Sequence, residues 1–136
     1  MNLISFLLIG FVALAFFLAV FVFVKSSRRG FSDKDQRFIM VKWEEIFSVS
    51  KSDFKNAIIE ADKLLDHVLS KKGYSGSLGD KLKKAAPLFT DLNGIWAAHK
   101  VRNRLAHEMG FEVLPEETQN VLAQFKRALR DLGVKF

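Results

Sequence analysis

Two of the three histidines in this 136-residue chain fall in one stretch, 95–109, I-W-A-A-H-K-V-R-N-R-L-A-H-E-M, which also carries Arg102 and Asn103. An imidazole exchanges protons near neutral pH, and a guanidinium holds negative charge on a phosphate or another oxyanion. On a helix, His99, Asn103 and His107 recur every four residues and form one polar row. Arg102 lies about 140° round that helix from His107, so it joins the row only through its long side chain or through fraying of the helix end. The chemistry on offer is proton transfer beside an anion-holding group. His99 and His107 would stand about 12 Å apart along the axis, too far to share one metal ion. The chain has no cysteine, no second histidine completing a zinc-protease helix after His107-Glu108, and no serine in a nucleophile elbow. No cofactor and no metal is therefore expected.

The stretch must be a helix to hold that row. Ile95, Ala98, Val101 or Arg102, Leu105 and Met109 recur at three and four, Asp91 or Asn93 can start the helix, and Gly110 can stop it. It reads as the central helix of a small helical domain. The best amphipathic helix is upstream, between the start signal 50–53 and the stop Gly73. Its apolar face holds Phe54, Ala57, Ile58, Ala61, Leu64, Leu65, Val68 and Leu69, and its polar face holds Glu60, Asp62, Lys63, Asp66, His67 and Lys71. His67 reads as a solvated surface residue. Glu60 and Asp62 can face Arg102, either as a structural ion pair or in support of its chemistry, and both readings stay open.

A first soluble helix is expected over 33–48, with Phe38, Val41 or Lys42, Trp43, Ile46 and Phe47 as its apolar stripe. Residues 73–79, rich in glycine, read as a connector: they lack the GK[ST] ending of a phosphate-binding loop. A short helix over 80–86 is ended or kinked by Pro87. Trp96 is expected in the core. Pro115-Glu116-Glu117 opens a last helix, with Val121, Leu122, Phe125, Ala128, Leu129 and Leu132 on its apolar face and Gly133 at its close. The fold class is all-α: one transmembrane helix followed by a four- to five-helix antiparallel bundle.

Arg102-Asn103-Arg104-Leu105-Ala106-His107 resembles the R-x4-6-H motif of HEPN domains, small helical bundles found in many prokaryotic ribonuclease toxins and defence proteins. The likeness covers roughly 53–132. It implies a HEPN-like fold and a metal-independent endoribonuclease site completed across a homodimer. Arg102 and His107 would be catalytic, Asn103 would support them, and His99, Glu60 and Asp62 lie where further support is needed. The departure from the toxin members is at the N-terminus.

Residues 3–24 carry no charge over 22 positions. As a helix they span about 33 Å, enough for a hydrocarbon core of about 30 Å. Met1-Asn2 has no basic side chain and Val22-Phe23-Val24 is no cleavage site, so a retained anchor is expected rather than a signal peptide. Ala15-xxx-Ala19 is a small-residue spacing that packs two such helices. Lys25, Arg28 and Arg29 follow at once. They are three of the 21 basic residues, which leaves 18 against 15 acidic ones in the rest of the chain. That balance is no nucleic-acid footprint by itself. The organisation expected is an anchor over 1–25, a basic juxtamembrane linker over 26–32 and a helical domain over 33–136. The basic flank sets the orientation: single-pass in the cell (inner) membrane, N-terminus outside, domain in the cytoplasm. The partners expected are the membrane, a second copy and RNA. The alternative to cleavage is a non-catalytic, membrane-tethered module binding RNA, a nucleotide or a protein.

A green fluorescent protein fused after Phe136 should fluoresce, and alkaline phosphatase fused there should be inactive. The opposite pair of results would reverse the orientation.

Overall fold

The computed structural model describes residues 2–27 and 30–136. Among them run six α-helices and one 3-10 turn: α1 Leu3–Ser27, α2 Asp33–Val49, α3 Phe54–Lys71, α4 Leu78–Lys84, the 3-10 turn Ala86–Leu88, α5 Leu92–His107 and α6 Pro115–Asp131. No strand occurs among the described residues, and the all-α class expected from periodicity is what the chain adopts. Helix α1 continues through Lys25 to Ser27, so the expected linker starts later than residue 26. Arg28 and Arg29, two of the three juxtamembrane cations, lie outside the described residues.

The apolar helix α1 is long and hydrophobic enough to cross a membrane, with a mean hydropathy of 3.1 over its richest window and none of that window buried against the rest of the chain. A core helix would be covered by its own protein, and α1 is not.

Local signals set the helix ends. Ser32 caps α2, Asp53 caps α3 and Asp91 caps α5, each accepting a backbone N–H from three residues on. Ser77 and Asp80 form a reciprocal capping box at α4. Gly73 and Gly133 adopt positive φ after α3 and α6. There Tyr74 N–H reaches back to the Leu69 carbonyl and Val134 N–H to the Leu129 carbonyl, which satisfies carbonyls the last turn leaves over.

The centre of the bundle is α3, which touches α2, α4, α5 and α6. The expectation that α5 would be central is corrected: α5 packs mainly on α3 and α6. The reason is composition. Helix α3 buries Ala57, Ile58, Ala61, Leu64, Leu65, Val68 and Leu69, whereas α5 buries only Ile95, Ala98 and Leu105. The stripe expected on α2 is also shifted. Ile39, Trp43 and Ile46 are buried, and Phe38, Val41 and Phe47 are exposed. Helix α5 stops at His107, not at Gly110, because Glu108 leaves the helical region at φ −89°, ψ 123°. Met109, expected on the apolar face, is consequently fully exposed. Trp96 is half-buried, its ring edge-on to His99.

Two further contacts shape the bundle. Gly94 lets α6 approach α5: a Cβ there would run into the Gln124 side-chain oxygen and the capping carboxylate of Asp91. The C-terminal segment is tied back to α2, with the Gln36 amide donating to the Lys135 carbonyl and Lys135 N–H donating to Gln36 Oε1.

Phe125 of α6 is wholly buried. Phe125→Ala should lower stability by about 3–5 kcal/mol. Urea unfolding followed by the emission of Trp43 and Trp96, both outside α1, measures it. A loss under about 1 kcal/mol would mean that α6 is not part of the core.

Candidate functional site

Asp62 sits four residues after Ile58 and three before Leu65, in the core-facing row of α3. A carboxylate in that row is expensive unless partnered. Its side chain is 5% exposed, and both oxygens have partners on α5. His99 Nδ1 lies 2.8 Å from Oδ1. Arg102 Nε lies 3.2 Å from Oδ2, as an ion pair whose N–H is not aimed well enough for a hydrogen bond. The Arg102 Nη1 group donates to Asn103 Oδ1 at 3.1 Å, and Asn103 Nδ2 lies 3.4 Å from His99 Nε2. Asp62, His99, Asn103 and Arg102 thus close a ring of side chains between α3 and α5.

The ring settles the roles of each group. A guanidinium only donates, so Asn103 must turn its oxygen to Arg102 and its amino group to His99. An ionised Asp62 only accepts, so His99 carries its proton on Nδ1. The Asn103 amino group is then matched by a lone pair on Nε2, the complement of the proton on Nδ1.

These groups open onto a recess of about 380 Å³, walled by Lys63 and Asp66 of α3 and by Ser77, Leu78 and Gly79 at the start of α4. Helix α4 is pinned there from beneath. The buried ammonium of Lys81 lies 2.8 Å from Asp66 Oδ1 and donates to Ser70 Oγ at 2.6 Å. The Asp80 carboxyl is held below its usual pKa by hydrogen bonds from the Ser77 hydroxyl and then the Ser77 N–H, which keeps the capping box closed in mild acid. The segment 73–79 is therefore more than a connector: it supplies the recess wall. The legible signal for this was the Ser77-x-x-Asp80 capping pair.

Among the residues singled out from sequence, the structure joins Asp62, His99, Asn103 and Arg102. His107 is elsewhere: it ends α5 and is exposed, and its side chain has no hydrogen bond or ion pair among the described residues. Glu60 is corrected. Two residues from Asp62 is about 200° round the helix. Glu60 faces the groove between α2 and α3, paired with Lys63 at 2.7 Å, and does not meet Arg102. His67 is half-buried in that same groove with its ring 5.2 Å from Phe38, rather than free in solvent. Just beyond His107, Arg104 pairs with Glu108 and stacks over Phe111 at 3.9 Å, fixing the turn that ends α5.

Compared with family models, with curated proteins and with solved structures, the chain gives no match.

Asp62→Ala would strand His99 and Arg102 and should cost about 3–5 kcal/mol, less what Arg102 recovers through its partial exposure. Adding His99→Ala should cost much less than it does alone, whereas Glu60→Ala should stay within about 0.5 kcal/mol. Urea melts of the four variants test this, and strict additivity would show that the ring does not hold in solution.

Proposed function

We propose that this chain is a membrane-anchored, HEPN-like helical module that cleaves RNA without a metal ion, with its bundle on the cytoplasmic side of the cell (inner) membrane. Arg102 would hold the charge that builds on the phosphorus oxygens, Asn103 would orient Arg102, and His107 would transfer a proton at the leaving oxygen. The observation that carries the reading is the state of His107: an exposed, unpartnered imidazole in the last turn of the helix that presents Arg102 to an open recess. Arg102 and His107 point about 140° apart on one helix, a divergence that pairing of two copies would overcome.

A second reading has its own support. Arg102 is already half neutralised by the buried Asp62. A cation so occupied suits a non-catalytic module that holds RNA, a nucleotide or a protein at the membrane.

Incubating the full chain in nanodiscs with mixed RNA and EDTA separates the two. The expected result is cleavage to 2′,3′-cyclic phosphate ends, reduced about 10²-fold or more in folded His107→Ala and Arg102→Ala. No cleavage at concentrations where the chain is dimeric would leave the binding module.

A further inference from the structure

The ring holds one of its lone pairs, that of His99 Nε2, by its longest contact, 3.4 Å from Asn103 Nδ2. His99 Nδ1–H is committed to the buried Asp62, and the His99 side chain lines the recess. A carboxylate behind the far nitrogen fixes the tautomer and stabilises the imidazolium that forms when the near nitrogen takes a proton. That is the arrangement of a general base, and the reading above gives it no role. The charged groups facing His99 are Asp62, Lys63 and Asp66 from α3 and Arg102 from its own helix, while α4 contributes only the uncharged Ser77, Leu78 and Gly79.

The spacing supplies the complement. His99 and His107 lie four residues on either side of Asn103. Within one helix they are about 12 Å apart, too far to serve one phosphodiester. Were two α5 helices to run antiparallel about Asn103, His99 of one copy would stand opposite His107 of the other.

We infer that His99 is the general base of this site and that it works with His107 of a second copy as the general acid. The inference rests on the ribonuclease reading. The ribose 2′-hydroxyl gives its proton to His99 Nε2 as the 2′-oxygen forms its bond to phosphorus. The bond from phosphorus to the 5′-oxygen breaks, and that oxygen takes a proton from the His107 imidazolium. The products are a 2′,3′-cyclic phosphate and a 5′-hydroxyl, with His99 left charged against Asp62 and His107 left neutral. A protonated Nε2 no longer accepts from Asn103.

The test uses the full chain in nanodiscs and a short RNA. His99→Gln, which can still donate to Asp62, should lower kcat by about 10²–10⁴-fold and remove the limb of the pH–rate profile that rises with pH. The decisive measurement mixes it with His107→Ala. Each variant alone lacks one group at every site, but a mixed dimer has one complete site. A one-to-one mixture should therefore recover roughly a quarter of the wild-type rate. Diethyl pyrocarbonate provides a check on the unmutated chain: RNA should protect His99 from modification, as read by peptide mass. An inactive wild type overturns the ribonuclease reading and this inference together. An active wild type with an unchanged His99→Gln pH profile, no recovery on mixing, or no protection of His99 overturns this inference alone.

Discussion

A buried carboxylate cannot stand alone, and Asp62 is the point on which the site depends. It occupies a position that the packing of α3 would otherwise give to a leucine or valine. Both of its oxygens are consequently spoken for by α5, one by an imidazole and one by a guanidinium. Contacts of this kind specify geometry more than they stabilise, because the desolvation of the ions consumes most of their attraction. What they fix is the rotation of α5 against α3, the tautomer of His99 and the orientation of the Asn103 amide.

The rest of the bundle keeps that contact in place. Helix α3 is the hub, and its neighbours differ in what they contribute. Helices α2 and α6 bring apolar mass, with Ile39, Trp43, Phe125 and Leu129 closing the core. The short α4 brings little mass but is locked by Lys81, whose ammonium reaches Asp66 and Ser70 from a buried stem. Gly79 then passes close beneath Trp96, which in turn meets His99 edge-on. The recess is thus bounded on one side by a charged pair and on the other by backbone. The turn after α5 is held by Arg104, Glu108 and Phe111, so His107 projects from a fixed point.

The two ends of the chain obey different solvents. Helix α1 presents apolar side chains on every face, as a lipid environment requires, while the bundle segregates its apolar and charged faces. Insertion of α1 in a membrane would confine the bundle to a plane and raise the local concentration of copies, which favours any arrangement that needs two of them. That constraint is relevant to a site whose arginine and terminal histidine diverge on one helix.

Much of this was legible without coordinates. Charge-free length identified α1, period and capping residues placed α2 to α6, and the four-residue spacing of His99, Asn103 and His107 placed them in one row. These are local properties, decided within a few residues by backbone geometry, helix caps and periodicity. What the sequence left open were questions of rotation and termination. Asp62 and Glu60 were equal candidates until α3 packed and sent one inward to α5 and the other toward α2. Phe38 and Phe47 matched Trp43 in hydrophobicity but lie on flanks of α2 that stay about half exposed. Gly110 was a sound stop signal, yet α5 ended three residues sooner. The joining of Asp62 to His99, across 37 residues, follows from the burial of α3 at the centre of the bundle. Only tertiary packing decides that, because only packing removes water from one carboxylate and compels it to find its partners within the protein.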